Sequence, residues 1–212
     1  MSATITDEQF AARELVRSWA AAFGAVAAAR DVELGQPDAW RAAYDGLAQL
    51  GIFGVALSEE QGGADGTVED LCAMVDEAAA AMVPGPVATT ALATLLIERS
   101  DVLESLISGE RVAGVALSAD VRFDNGRASG TAEYVLGADP AGVLVLPAGD
   151  AVVLIDASAD GVSIEPLKAT DPRVLFVMTP LTRRVSPISA SVSFANSVAA
   201  RLPVAAFSLT AT

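Results

Sequence analysis

The sequence has no histidine and one cysteine, Cys72, among its 212 residues. The absence of histidine excludes Ser-His-Asp and Cys-His catalysis on this chain and disfavours a transition-metal site, so no metal ligands are expected. A lone cysteine cannot form an internal disulfide, which fits a reducing compartment, and we expect a cytoplasmic protein. Acidic neighbours raise the pKa of a thiol, so we interpret Cys72 as a packed core residue rather than a nucleophile.

Positive charge is also scarce, with 13 Lys and Arg against 27 Asp and Glu and a formal net charge of −14. This balance argues against nucleic-acid and acidic-membrane partners, because both bind clustered Lys and Arg. No apolar run reaches the ~18 residues that a membrane span requires. The first ten residues lack the basic region and apolar core of a signal peptide.

The first half of the chain carries helical patterns. Thr6 and Gln9 have the spacing of a capping box. The first helix is then expected to bury four residues at near-helical spacing, Phe10, Trp19, Phe23 and Val26, and to turn Arg13, Glu14 and Arg17 toward water. A second helix follows Pro37 and ends at Gly51, with one apolar face formed by Trp40, Tyr44, Leu47 and Leu50.

A third helix begins after Thr67, since Asp70 completes a second capping box. Its apolar stripe consists of Leu71, Met74, Val75 and Ala78. Met74 and Met82 are interpreted as core residues. The PGP segment at 84–86 ends this helix, and two shorter helices follow over 87–100 and 101–110.

The pattern changes at Arg111, where short runs rich in Val, Leu and Ile begin, separated by turn residues such as those at 124–126 and 149–150. These runs predict a small antiparallel sheet of hairpins with a barrel-like roll. The fold class is therefore α+β. We divide the chain into a helical domain over 1–109, a β domain over 110–171, and an atypical tail over 172–212 that contains no acidic residue.

Gly62 and Gly63 lie in a loop before a helix, the place where many proteins bind phosphate. The segment EEQGGADGTVED lacks both the Lys-Ser/Thr of a P-loop and the G-x-G-x-x-G of a dinucleotide loop. The surrounding carboxylates would also repel an anion. We favour a surface turn that requires positive φ. The adjacent Glu59 and Glu60 are interpreted as solvated side chains rather than an acid–base pair.

The stretch from Leu50 to Ala81 resembles the acyl-CoA dehydrogenase family, whose N-terminal domain carries the pattern L-G-x-x-G-x-x-x-P-E-E-x-G-G-x-G. The matching residues are Leu50-Gly51, Gly54, Ser58-Glu59-Glu60, Gly62-Gly63 and Gly66. Ser58 replaces the proline, and the last glycine lies one place late. The resemblance extends over about residues 4–171, and it implies that the glycines form a structural turn beside the substrate region.

The resemblance implies FAD-dependent α,β-dehydrogenation of an acyl-CoA thioester. In the family, a glutamate removes the α proton while the β hydrogen leaves as hydride to flavin N5. A C-terminal four-helix bundle normally supplies this glutamate and much of the tetramer interface. No such bundle is recognised after residue 171. We therefore name no catalytic residue and expect an incomplete architecture that is inactive as this chain.

The resemblance also places flavin contacts at two segments. The family's T-E-P-x-A-G-S-D segment corresponds to Leu117 and Ser118, and its W-I-T segment corresponds to Tyr134, Val135 and Leu136. Both segments depart from the family pattern, and few cations are near, so we expect FAD to bind weakly or not at all. Ordinary strand packing is the alternative for each of these residues.

Three functions remain open on this reading. The chain is part of an acyl-CoA dehydrogenase, or a non-catalytic subunit that assembles with a catalytic chain in a homo- or hetero-oligomer, or an interaction module that has lost acyl-CoA. The abrupt loss of acid after Asp171, with a gain of Arg, Ser and Pro, predicts a frameshifted and poorly packed tail.

Overall fold

The structure is a computed structural model that describes residues 5–98, 100–124, 126–166, 176–179 and 183–184. Within those residues, six α-helices precede nine strands. The helices are α1 (Asp7–Phe23), α2 (Ala25–Glu33), α3 (Arg41–Gln49), α4 (Val68–Ala80), α5 (Val87–Leu96) and α6 (Ser100–Ile107). A short 3₁₀ helix lies at Glu59–Gln61. The prediction for the tail over 172–212 lies outside the described residues, apart from two short strands.

The strands are β1 (Ala113–Ala116), β2 (Asp120–Asp124), β3 (Arg127–Thr131), β4 (Val135–Leu136), β5 (Val143–Ala148), β6 (Ala151–Asp156), β7 (Ser163–Pro166), β8 (Phe176–Thr179) and β9 (Arg183–Arg184). They form a first sheet in the order β4-β1-β5-β6, a second in the order β2-β3-β9, and a β7-β8 pair. The predicted order of helices followed by strands is confirmed.

Two details of the predicted sheet differ from the structure. The pair β1–β5 is parallel, because the chain leaves β1, forms β2 to β4, and returns to run beside β1 in its original direction. The strands of the described residues form separate sheets and do not close into the expected barrel. Strand β2 and the division of the run 128–137 into β3 and β4 were not predicted.

The first helix begins as predicted, but it ends earlier and buries only part of the expected face. Thr6 and Gln9 form the capping box, and Gly24, with φ of +81°, ends α1 before Val26. Phe10 is 61% exposed, whereas Val16 and Ala20 are buried. The prediction of the buried face was right for Trp19, which packs against the core cluster, and wrong for Phe10, Phe23 and Val26, which are exposed. Arg13 and Arg17 lie where α1 meets α4, and their guanidinium groups pair with acidic side chains there.

A buried carboxylate explains this orientation of α1. Glu77 of α4 is 6% exposed and accepts hydrogen bonds from Arg17 at 2.7 Å and 2.8 Å. Arg13 pairs with Asp76 at 2.7 Å and approaches Glu77 at 3.7 Å. Buried carboxylates require such partners, so the two arginines hold α1 against α4, while the side chain of Arg17 stays 54% exposed at the edge of this contact.

Helices α3 and α4 bury the faces that the sequence predicts. Tyr44, Leu47, Leu71, Met74 and Ala78 all lie in one core cluster. Two other interpretations were wrong. Cys72 is exposed because it lies on the outer face of α4 with Glu69 and Asp76, and Met82 is 57% exposed at the helix end, with φ of +57°.

The first sheet is covered on both faces. Side chains such as Val115, Val143 and Val145 pack with residues of α5 and α6, whereas Ala116, Leu144 and Leu146 pack with residues of the second sheet. This alternation follows from the two-residue period of a strand. The described helices include none that combines the length and the hydropathy needed to cross a membrane.

Candidate functional site

The loop that carries Gly62 and Gly63 uses its own backbone amides. The amides of Gly62, Gly63, Ala64, Asp65 and Gly66 donate to backbone carbonyls of residues 54–59, at 2.8 to 3.1 Å. The next amide, that of Thr67, donates to the carboxylate of Asp70 at 2.8 Å. A phosphate-binding loop needs free amides that converge on the anion, and these six amides are already bonded within the chain. The interpretation as a structural turn therefore fits the geometry.

The two glycines serve this turn for different reasons. Gly62 has φ of +79°, a conformation in which a side chain is strained. Gly63 has an ordinary φ, but a Cβ atom there would lie 2.3 Å from the carbonyl oxygen of Leu57 and 2.5 Å from that of Gly54. The close passage of two backbone segments, rather than a ligand, accounts for the second glycine.

The predicted flavin-contact segments lie side by side on one antiparallel ribbon. Strand β1 pairs with β4 up to Ala116 opposite Val135, and β2 pairs with β3 from Asp120 opposite Thr131. Three residues separate the two ladders on each strand, so the register does not slip between them. Continued through these three residues, the register sets Leu117 opposite Tyr134 and Ser118 opposite Glu133, although residues 117–119 and 132–134 form no ladder of their own.

The ribbon bends at this point, from the first sheet into the second. Ala116 lies in the core cluster of the two sheets, and Ala119 packs against the same cluster. In a regular strand, residues three positions apart point to opposite faces, so one of the two would point outward. Between them, Leu117 and Ser118 are both exposed, and so are Glu133 and Tyr134 on the opposite strand. We call the exposed set Leu117, Ser118, Glu133 and Tyr134 the ribbon-bend patch.

Three of the five predicted flavin contacts therefore share one surface. Leu117 is 71% exposed and Tyr134 is 62% exposed. Val135 is fully buried in the core cluster of the two sheets, and Leu136 is half-buried. Val135 can therefore meet a ligand only through its backbone.

Glu133 was not predicted as part of the site. Its position becomes apparent only when the register of β1 against β4 is known, because the sequence places it in an unremarkable stretch, GTAEYVLG. In the structure, Glu133 and Tyr134 are two consecutive exposed residues that follow the fully buried Ala132, and this pattern of exposure identifies Glu133 as part of the site. Its carboxylate is the one formal charge of the ribbon-bend patch.

The ribbon-bend patch suits the ring system of a flavin better than its phosphates. A leucine and a tyrosine offer apolar and aromatic surface to a planar ring, and the Ser118 hydroxyl can donate or accept a hydrogen bond. The patch contains no cation that would pair with a pyrophosphate. Across the described residues, no group of three or more His, Cys, Asp or Glu side chains could hold a metal ion.

Comparison with known proteins assigns the class of this fold. Residues 6–100 match the family model described as the N-terminal domain of acyl-CoA dehydrogenase. The chain is 51% identical over 213 residues to acyl-CoA dehydrogenase FadE34 of Mycobacterium tuberculosis, a match that covers 91% of this chain and 30% of that protein. The chain belongs to the acyl-CoA dehydrogenase family, and the resemblance read from the sequence is confirmed.

A second curated relative is acyl-CoA dehydrogenase IpdE2 of Mycolicibacterium smegmatis, 30% identical over 155 residues, which cover 68% of this chain and 45% of that protein. The chain therefore spans less than half the length of either relative. FAD is the cofactor that family membership implies, and one solved structure of similar fold is an acyl-CoA dehydrogenase from Bacillus anthracis complexed with FAD (16% identity, TM-score 0.65, 85% of this chain and 36% of that one).

Two further solved structures are similar in fold. The ChsE4-ChsE5 complex from Mycobacterium tuberculosis matches with a TM-score of 0.73 at 21% identity, over 93% of this chain and 60% of that one. A variant of the Tcur3481-Tcur3483 steroid ACAD matches with a TM-score of 0.64 at 26% identity, over 88% and 58% of the two chains.

Proposed function

We propose that this chain forms a flavin-facing part of an acyl-CoA dehydrogenase, in which Leu117, Ser118 and Tyr134 contact the ring system of FAD. The observation that supports this proposal is the ribbon-bend patch. Two segments that the family resemblance links to the flavin are 17 positions apart in sequence, from Leu117 to Tyr134, and they meet on one exposed surface.

Each residue of the ribbon-bend patch has a distinct role in this proposal. FAD, when bound, supplies the hydride acceptor. Leu117 and Tyr134 pack against the ring and keep water from it, and the Ser118 hydroxyl bonds to a polar ring atom. The exposed carboxylate of Glu133 disfavours the approach of a phosphate, so that the ring rather than the pyrophosphate occupies this surface.

We also propose that the chain alone does not dehydrogenate an acyl-CoA. The reaction needs a base placed at the α proton, and the one carboxylate of the patch, Glu133, is exposed to solvent. An exposed carboxylate holds no fixed position against a substrate, whereas general-base catalysis requires one within hydrogen-bond reach. The base would come from a part of the enzyme beyond the residues described.

The second candidate is a partner subunit that assembles with a catalytic acyl-CoA dehydrogenase chain. Two solved structures with a similar fold are named for pairs of proteins, ChsE4-ChsE5 and Tcur3481-Tcur3483. In this proposal, a second chain covers the exposed Leu117 and Tyr134 and completes the acyl-CoA site.

A cytoplasmic location accords with the unpaired Cys72.

A titration of the full chain into FAD, followed by flavin fluorescence, tests the flavin contact. We expect weak binding that is lost on desalting, and a further loss of affinity in Leu117→Asp and Tyr134→Ala. The matched control is Ser129→Ala, an exposed position on β3 away from the ribbon-bend patch. Equal affinity in all variants, or no binding by the unmodified chain, would overturn the assignment.

An assay with an electron-acceptor dye tests the proposal that the chain alone does not dehydrogenate an acyl-CoA. The panel contains fatty and steroid acyl-CoA thioesters, since one solved structure of similar fold is a steroid ACAD. We expect no turnover above the dye alone for the isolated chain. Copurification from cells with a distinct dehydrogenase chain, together with turnover by the pair, supports the partner-subunit candidate. Turnover by the chain alone contradicts both the proposal that the isolated chain is inactive and the partner-subunit candidate.

A further inference from the structure

The passage from the last helix into the first strand is bonded to the helices at almost every residue. Arg41 donates hydrogen bonds to the carbonyl oxygens of Gly109 and, at 3.2 Å, of Glu110. Tyr44 donates from its hydroxyl to the carbonyl oxygen of Arg111 at 3.0 Å. The amide of Ala113, the first residue of β1, donates to the hydroxyl of Thr90 at 3.1 Å. We call residues 109–113 the joint.

Two of the side chains that hold the joint are fully buried. Tyr44 and Thr90 have 0% exposure, and their hydroxyl oxygens are hydrogen-bonded to each other at 3.2 Å. Burial raises the pKa of Tyr44, and the hydrogen bond with Thr90 and the charge of Arg41 offset only part of this effect, so the phenol remains protonated. Removing the hydrogen-bond partner of a buried hydroxyl costs free energy of folding, so this set of partners is strongly favoured over alternative arrangements.

The joint also lies directly on α3. Gly109 has φ of +79°, and a Cβ atom there would lie 2.5 Å from the Cβ of Ala48. The guanidinium of Arg111 then reaches the neighbouring strands, where it donates to the carbonyl oxygen of Gly142 at 2.7 Å and to the carboxylate of Asp156 at 2.8 Å. The start of β1, the start of β5 and the end of β6 are thus tied to the same joint.

Strand β1 connects the joint to the ribbon-bend patch. It runs over Ala113–Ala116, is buried at all four residues, and has a paired strand on each side. Leu117 follows at once, about 13 Å from Ala113 at about 3.3 Å per residue. A close-packed strand of this kind moves as a rigid element, so a shift at its start is carried to its end.

We propose that Tyr44 and Thr90 are positioning residues for the ribbon-bend patch: they fix the start of β1 and thereby set the place of Leu117 and Ser118 against the ligand. This inference rests on the proposed flavin contact. Neither side chain touches the patch, and each acts through the backbone of β1.

A pair of isosteric substitutions on one helix tests the proposal. Thr90→Val removes the hydroxyl that accepts from Ala113. Thr94→Val is the matched control, because Thr94 is equally buried on α5 but donates only to the carbonyl oxygen of Ala91 in its own helix, at 2.9 Å. Tyr44→Phe provides a second variant in which the ring remains and the bond to Arg111 is lost.

The readouts are amide hydrogen exchange over residues 113–118 and FAD affinity of the full chain, both under conditions where urea unfolding shows each variant to be folded. We expect Thr90→Val and Tyr44→Phe to accelerate exchange at these amides by about tenfold, as for the loss of one buried hydrogen bond, and to weaken FAD binding. Thr94→Val should leave exchange over 113–118 and FAD affinity unchanged.

The failures of the two proposals are distinguishable. If the unmodified chain binds no FAD, the flavin contact fails, and exchange over the paired residues 114–116 of β1 alone decides whether the joint fixes the strand that leads to the patch. Equal exchange in Thr90→Val and Thr94→Val overturns the positioning role, and so does an FAD affinity in Thr90→Val that matches the unmodified chain.

Discussion

At the scale of single residues, close backbone approach decides what Gly63 can tolerate. We expect Gly63→Ala to lower the free energy of unfolding by about 2–3 kcal/mol, because the new methyl group would overlap two fixed carbonyl oxygens. The control is Gly35→Ala, where φ is +92° but no atom lies within 4 Å, and the cost is about 1–2 kcal/mol from backbone strain alone. Urea denaturation compares the two, and a smaller loss for Gly63→Ala than for Gly35→Ala contradicts the argument.

The pKa of Asp156 predicts how the stability of the fold depends on pH. Partial desolvation raises the pKa of its carboxyl. Hydrogen bonds from the hydroxyl and amide of Ser158 and from Arg111 together lower the pKa by a larger amount, so the net pKa lies below its ordinary value. A lowered pKa stabilises the fold above the unfolded value of about 3.9, and this contribution disappears as pH falls through the folded pKa.

Asp156→Asn should therefore destabilise the protein at pH 7 and not at pH below the folded pKa. The loss at pH 7 should be under about 1 kcal/mol, because the carboxylate is partly exposed and water screens the pair. Urea unfolding of both proteins at neutral and strongly acidic pH measures the difference. A difference in stability that is the same at both pH values shows that the charge of Asp156 is not its cause.

At the scale of elements, the capping box of α4 is the clearest local device. The Thr67 hydroxyl accepts from the amide of Asp70 at 3.1 Å, and the Asp70 carboxylate accepts from the amide of Thr67 at 2.8 Å. Thr67→Ala should cost about 1 kcal/mol of stability, because amides of the first turn lose their acceptor. Thr67→Ser keeps the oxygen and should remain near the original stability in thermal unfolding; equal losses in both variants would contradict the capping role.

Helices α1 and α4 show where local patterns succeed and where they fail. The capping boxes at Thr6 and Thr67 depend on residues three apart, so the sequence alone predicts them. The aromatic pattern correctly placed Trp19 against the core but also predicted burial of Phe10, which is exposed. The pairing of Glu77 with arginines of α1 joins positions 60 or more residues apart, and no local period contains that information.

At the scale of the whole molecule, the division into a helical segment over 1–109 and a β segment over 110–171 stays a prediction. The described elements change from helix to strand between Ile107 and Ala113. Residues 1–110 expressed alone should show a helical circular dichroism spectrum, because α1, α3 and α4 share a core cluster made chiefly of helical residues.

The same fragment should be less stable than the full chain and should self-associate. Ile97, which follows α5, and Leu103 and Leu106 of α6 pack against residues of β1 and β5, which the fragment lacks. An uncovered apolar surface of this kind promotes association. Analytical ultracentrifugation and thermal unfolding measure both effects, and a fragment with no helical spectrum shows that the division is wrong.

The sequence by itself determined the order of helices and strands, the capping boxes, the absence of histidine chemistry and the family. Each of these depends on residue type or on spacing within a few positions. The tertiary structure alone decided the parallel pairing of β1 with β5, the burial of Val135, and the meeting of Leu117 and Ser118 with Glu133 and Tyr134. These depend on strand register between distant segments, which is set by packing of the whole core rather than by any local stretch.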